Sequence, residues 1–432
     1  MHLKEKLLAS FSSAENQDNL SDYLSDVRSN ALEVFKKKGF PTKKDEAWKY
    51  TSLNKFLNKD FFLSHKPSDV QNRNHLESYF IDKESNHIVF VDGLYASDLS
   101  KKVDTNLYTN VLSEALKEAK HKTIIEQYYD KATNEDGLSS LNTALSSSCI
   151  YIYISENQVI DHPIQITHFS TGNDTDVLLQ PRHLIVAGSN AQVKIIETHH
   201  NVTPNTCLTN SVTEVFVDAN AIVDYYKVQN DSKTSSIIDN TYIKQKEKST
   251  VSVHTFSFGG QVTRNNLNFY QEGERINSIL KGTTIISGKQ HVDHNTLVHH
   301  INPNCESHQN YKGVFGEQST GVFNGQIVVE KEAQNTNAFQ ANNNILTSDK
   351  ASINTKPQLE IFADDVRCSH GCTIGQLDED ALFYIRSRGV SEKDAKKLLM
   401  YAFTDEVLNS VAIPKLKDYI SSMISHTLDT NS

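Results

Sequence analysis

Between Cys149 and about residue 365 no amphipathic helical pattern of about ten residues or more interrupts a long succession of short β-rich runs. CIYIYI, HLIVAG, AQVKIIE, VTEVFVD, AIVDYYKV, TVSVHTFSF, INSILKGTTII, HNTLVHH and GQIVVE follow one another. They are rich in Val, Ile, Thr, Tyr and Phe, the side chains that fit a pleated surface. Small polar or glycine turns separate them, at Gly188-Ser-Asn, Asp218-Ala-Asn, Lys248-Ser-Thr, Glu272-Gly-Glu and Gly316-Glu-Gln-Ser. Asn190, Asn220, Ser249 and Arg275 hold comparable places in these turns, about 26–30 residues apart. A turn-then-strand unit that recurs at such an interval suggests stacked coils, each burying its apolar face against its neighbours. A β-solenoid is therefore expected, with a β-sandwich as the rival that strand counting leaves open.

The flanks read differently. Residues 1–150 form a mainly helical N-terminal domain, 151–375 the β core, and 376–432 a C-terminal helical domain. In the first, a run through Val27, Ala31, Leu32, Val34 and Phe35 has helical spacing. It ends at Lys36-Lys-Lys-Gly39, where cations suit the helix dipole and glycine can take the left-handed stop conformation. The segment PTKKDEAWKYTSLNKF follows, and its Trp48 and Tyr50 are expected to anchor a loop on the core. Tyr108–Tyr129 again has helical spacing. In the last part, Asp378–Arg388 reads as a helix stopped by Gly389. Ser391-Glu-Lys-Asp394 then resembles a capping box, ahead of a stripe of Ala395, Leu398, Leu399, Ala402, Phe403 and Val407. Pro414 opens a short terminal helix, Lys415–Ile424. These helices are too few for a large core of their own; they cap the end of the β zone or offer an apolar groove to a partner.

Composition excludes several function classes. The net charge of −10 gives no global basic face for nucleic acid or an anionic membrane. No stretch approaches the roughly 18 apolar residues of a membrane-spanning helix, and the N-terminus lacks a signal-peptide core. The five cysteines are odd in number and mostly far apart, which fits reduced thiols in a cytoplasmic protein. There is no P-loop, no G-x-S-x-G, no H-E-x-x-H and no C-x-x-C.

What remains is RCSHGCTIGQLD, from Arg367 to Asp378. In a strand, Cys368, His370 and Cys372 share one face, unless Gly371 breaks it. A structural zinc site wants four ligands, so a local set of three would need help from His291, His294, His299, His300, Cys305 or His308. The adjacent pairs His299-His300 and His199-His200 face opposite ways in a strand, and all these histidines are expected to be exposed. A thiol is only a few per cent thiolate at neutral pH, and an imidazole beside it can raise that fraction or relay protons. A thiolate–imidazole pair also suits iron–sulfur species. Spacing alone leaves ligation, catalysis and chance neighbours at a tight turn open, and no metal site is expected within this chain alone.

The stretch Ala363–Leu399, ADDVRCSHGCTIGQLDEDALFYIRSRGVSEKDAKKLL, resembles the C-terminal signature of the SufB/SufD family of iron–sulfur cluster assembly proteins. Lys43–Leu53, KKDEAWKYTSL, resembles an N-terminal element of its SufD branch, and the clustered N-terminal cysteines of many SufB proteins are absent. One departure is Cys372, where the family leads one to expect a small residue such as alanine; it is read as a small hydrophobe in a buried slot. The resemblance implies a right-handed parallel β-helix flanked by helical domains. It implies a non-enzymatic scaffold subunit that assembles with a SufB-like paralogue and a SufC-like ABC-type ATPase, the latter through the C-terminal helices. A homodimer of the chain alone, when the paralogue is absent, is left open. Cys368 and His370 would then build a cluster or acquire iron at the SufB-like interface, with Cys372 as an additional thiol and the cluster or iron held transiently and shared. The rivals are a structural subunit without site chemistry and a polysaccharide-acting β-helix enzyme, which would need clustered carboxylates on one solenoid face.

Overall fold

The computed structural model describes residues 3–15, 21–63, 73–134, 136–171 and 175–430. Its centre is a parallel β-solenoid of about seven turns over residues 149–375. One sheet stacks Cys149–Ile154, Arg182–Ala187, Cys207–Val217, Ser235–Gln245, Val262–Gln271, His291–His300, Thr320–Val329 and Ser352–Ile361. The other stacks Ile164–Ser170, Gln192–Asn201, Ile222–Gln229, Thr250–Ser257, Asn277–Ile286, Glu306–Phe315, Thr336–Leu346 and Val366–Gly375. Each coil contributes one strand to each sheet. The register advances unevenly, with Ser236 beside Val262 but Thr320 beside Ser352.

The recurrent turn is a column of left-handed residues. Asn157, Asn190, Asn220, Lys248, Arg275, Asn304 and Asn335 all have φ between 55° and 61°. Asparagine tolerates this region better than most side chains. The backbone N–H of Asn190 donates to the Ala219 carbonyl, that of Asn220 to Glu247, and that of Lys248 to Glu274, at 2.9, 3.0 and 2.8 Å. The column thus passes through Lys248 rather than Ser249. Inside the coils, alternate residues meet across the bore: Ile152, Ile185, Ile195, Val215, Val223, Ile243 and Val253 are buried together. Apolar burial along this layer holds the sheets face to face.

The N-terminal end of the solenoid is closed. Asn86–Val91 pairs parallel with Ile164–Ser170, and Leu107–Val111 pairs antiparallel with Cys149–Ile154. The helical pattern from Tyr108 therefore begins one strand late, and Leu112–Ala115 and Ala119–Tyr128 are the helices. The cause is the pairing, which recruits Leu107–Val111 as a strand before the helical spacing can act. Asp22–Lys38 is capped by Ser21 and stopped at Gly39 with φ 65°. Trp48 sits over the Arg264 guanidinium, 3.9 Å from ring centroid to Cζ, on the outer face of the first sheet. Arg264 pairs with Asp293, which also accepts a hydrogen bond from Thr51. Trp48 anchors its segment as expected; Tyr50 does not and stands exposed.

The C-terminal helices Glu379–Ser387, Glu392–Leu408 and Pro414–Thr430 lie along the flank of the second sheet. Met400, Val407, Leu416, Ile420 and Ile424 bury against outward-facing Tyr226, Val228, Phe256, Ile285 and Val314. They do not cap the end of the β zone. The terminal helix outruns Ile424 because Leu428 continues its buried stripe. Leu398 and Ala402 lie outside the buried stripe, which runs instead through Ala395, Met400, Thr404, Val407 and Leu408. Among the described residues no helix is long and apolar enough to cross a membrane.

Candidate functional site

Because the helices run along the flank, the last coil is bare. Ser352–Ile361 and Val366–Gly375 end their sheets, each hydrogen-bonded to a neighbour on one side only. In the register, Cys368, His370 and Cys372 lie beside Ala338, Gln340 and Asn342. Those three are buried in the bore of the preceding coil. The triplet therefore continues an inward-facing column into a coil that, among the described residues, nothing covers. His370 and Cys372 are exposed, and Cys368 is half-buried against Ile327, Val329 and Ala338.

Alternation is kept through Gly371, which stays in the strand; a Cβ there would meet nothing within 4 Å. A tight turn is thereby ruled out as the reason these residues are neighbours. Cys372 is not in a buried slot: its thiol lies on the rim and donates to Thr355 Oγ1 of the other terminal strand at 3.0 Å. The two terminal strands thus face each other across the mouth of the bore. Burial raises the Cys368 thiol above its ordinary value, against a smaller opposing pull from the Ala338 backbone. In this chain Cys368 is held as a thiol, and a metal in contact would have to displace the proton. Around the mouth, Phe362 is 60% exposed and Ile374 49% exposed, an apolar rim on two unpaired strand edges.

The histidines between 291 and 308 do not join this set. His294 is buried in the bore between Asn265 and Thr284, at 3.3 and 2.8 Å. His300 is buried with its Nε2 2.9 Å from Ser307 Oγ, and His291 Nε2 lies 2.8 Å from Thr51 Oγ1. His308 stacks on Phe339 outside the solenoid, and the buried Cys305 thiol donates to the Gly273 carbonyl at 3.3 Å. Exposure was the expectation for these histidines; a second sheet on one side and docked segments on the other bury His294 and His300 and half-bury His291 and His299, while His308 is exposed.

The same holds for His199-His200. His200 packs outside against Tyr79 and Phe169. His199 points into the bore, where one of its nitrogens, a nitrogen of His168 and an oxygen of Glu197 all lie within 4.8 Å of one another. His168, His183 and Glu197 are not singled out by sequence reasoning. The available signal is Glu197-Thr-His199, two ligand-type side chains on one face of a strand.

Comparison with known proteins agrees with the architecture. The family description "SUF system FeS cluster assembly, SufBD core domain" matches residues 147–403, and "SufBD protein N-terminal region" matches residues 1–166. An iron–sulfur cluster assembly SufBD family protein of Synechocystis is 31% identical over 92% of this chain and 90% of its own. The iron–sulfur cluster assembly protein SufD of Escherichia coli is 28% identical over 92% of this chain and 91% of its own. SufD of Bacillus subtilis is 27% identical over 74% of this chain and 73% of its own. With both matched regions in order along a two-sheet parallel solenoid, the chain belongs to the SufBD family of iron–sulfur cluster assembly proteins.

Proposed function

We propose that this protein is a SufD-type scaffold subunit that works in the cytoplasm and pairs its open solenoid end with a SufB-like paralogue. The observation that carries the reading is the bare last coil with Cys368 and His370 on its inward column. Two ten-residue edge strands with an apolar rim are a template for another chain's strands. Pairing there brings Cys368 and His370 to face the partner's groups across the mouth. Iron or a nascent cluster is the cargo, held by ligands from both subunits, with the Cys368 thiol deprotonating as the metal binds. Cys372 adds a thiol at the rim.

The region 376–432 is the docking unit for a SufC-like ATPase. Supporting this, Phe383 is 74% exposed, Tyr384 58% and Leu398 54%, on two successive helices that contact each other. The protein itself has no catalytic role in this reading; ATP-driven dimerisation of the ATPase supplies the work that opens the shared site.

The test is co-purification with the two partners, then anaerobic reconstitution with iron and sulfide, for wild type, Cys368→Ser and His370→Ala. The expected result is an intact complex in every case, with visible cluster absorption lost in the variants and absent from this chain alone. Unchanged cluster content in an intact His370→Ala complex would leave a purely structural subunit. Failure of this chain to join the partners would remove the assignment.

A further inference from the structure

Seven inward-facing side chains form a charged chamber inside the bore, contributed by the first four coils from the closed end. Glu197 is fully buried and its two carboxylate oxygens have different neighbours. Oε2 accepts a hydrogen bond from the Tyr225 hydroxyl at 2.6 Å and lies 3.3 Å from the Lys227 ammonium. Oε1 faces imidazoles: Nε2 of His168 at 3.2 Å, of His199 at 3.5 Å and of His183 at 3.8 Å. The His168 and His199 rings lie parallel, 4.3 Å between centroids. Lys227 is matched by Asp239 at 2.6 Å, so Glu197 leaves the chamber one net negative charge.

His183 is the odd member. It is fully buried, and among the described residues neither ring nitrogen has a hydrogen-bond partner. His168 Nδ1 is likewise buried without a partner. Buried polar atoms of this kind are rare enough to need a reason. A hydrogen-bonding network would use the second nitrogen of each ring; here three ring nitrogens are idle, and one of them, His183 Nε2, stands 3.8 Å from Glu197 Oε1.

We propose that this chamber is a binding site for a divalent first-row transition metal ion, zinc or ferrous iron, with His168, His199 and Glu197 as ligands and His183 as the fourth. Ligand atoms about 2.0–2.2 Å from a tetrahedral ion lie about 3.3 Å from one another. The three nitrogens already stand 3.2–3.8 Å from Glu197 Oε1, so the ion enters with small side-chain rotations. The largest is at His183, which lies outside the tight trio. An all-nitrogen-and-oxygen set selects these ions over those that need thiolate. Tyr225 and Lys227 hold the other carboxylate oxygen and so fix the orientation of the ligand. The site shares no residue with the open end and does not depend on the interface reading.

The full chain is produced in cells grown with added Co²⁺ as the probe, because a buried site fills most readily during folding, and separately with Zn²⁺. One equivalent of metal is expected to stay after gel filtration, with the intense visible absorption of four-coordinate Co²⁺. X-ray absorption should give only nitrogen and oxygen neighbours with imidazole scattering, and no sulfur. Cys368→Ser/His370→Ala keeps the metal; His168→Gln/His199→Gln loses it at least tenfold. Sulfur in the coordination shell, no retained metal in the wild type, or full retention in the folded double histidine variant each overturns the proposal. The wild-type spectrum decides the matter even where that variant does not fold.

Discussion

Trp48 and Arg264 show how one pair fixes a long segment. The guanidinium is buried between the indole face and the Asp293 carboxylate, so removing its charge leaves Asp293 with Thr51 alone. Breaking a buried pair from one side costs about 3–5 kcal/mol. Arg264→Met is expected to lower the urea midpoint by that order. Arg264→Lys should recover only part, because an ammonium cannot stack flat on the indole while reaching the carboxylate. The single tryptophan makes its own emission the reporter, and an unchanged midpoint in Arg264→Met would show that the segment is not held this way. The sequence makes Trp48 an obvious anchor, but its partner lies more than two hundred residues away on a strand whose outward face only the coil register assigns. The same limit applies to the histidines. Period two says that His199 and His200 oppose each other; it does not say that Glu197, His168 and His183 wait on one side and Tyr79 on the other. The alternation of Cys368, His370 and Cys372 was legible because it is local. Their exposure was not, because it depends on which coil is last.

At the level of the element, the corner column sets how one coil follows the next. A non-glycine residue in the left-handed region costs roughly 1–2 kcal/mol, least for asparagine, whose side chain bonds locally. Asn190 gains a further bond along the column, its side-chain amide donating to Asn157 Oδ1 of the preceding coil at 2.8 Å. Lys248 and Arg275 occupy the same column without that help. Lys248→Asn is therefore expected to be neutral or stabilising by up to about 1 kcal/mol, and Asn220→Val to destabilise by about 1–2 kcal/mol. Both are read from urea midpoints at constant slope. Equal midpoints for the two would mean that neighbouring coils, not the corner, determine the turn. The recurrence of these corners is what made the solenoid readable, even though the spacing drifts along the chain. The C-terminal helices were legible as helices from Ser391, Gly389 and Pro414. Their place on the flank was not, since it rests on outward-facing Tyr226, Val228 and Phe256 in strands that apolar composition alone would bury anyway.

The whole molecule is asymmetric: closed by extra strands at one end, bare at the other, and threaded by buried histidines. Outside the metal chamber, burial pushes His254 and His300 down to about 3 and His294 to about 4. Lys281 adds to the effect at His254 and His299 at His300, while Asp293 opposes it at His294. Each is neutral in the fold and titrates near 6.5 when the chain unfolds. The unfolded state therefore takes up protons that the fold refuses. Stability from these groups is full above about pH 6.5 and falls as the pH drops towards the folded values. Each such histidine contributes about 1.4 kcal/mol per pH unit, so three lose about 4 kcal/mol per unit below about pH 6. That is a large share of the roughly 5–15 kcal/mol that holds a domain together. Glu214 and Asp239, raised by burial, act in the opposite sense. Asp104, lowered by its bonds to Asn86 and His162 against the desolvation it suffers, adds to the loss at lower pH. Urea midpoints should accordingly be flat from pH 8 to 7 and fall steeply between pH 6.5 and 5. His254→Gln/His300→Gln should flatten that fall by close to two protons, although each histidine's bond, to Ser410 and to Ser307, must be kept by the amide. A midpoint that does not move over this range would mean that water reaches these rings in the folded chain and that the coils are far less tightly closed than their packing indicates.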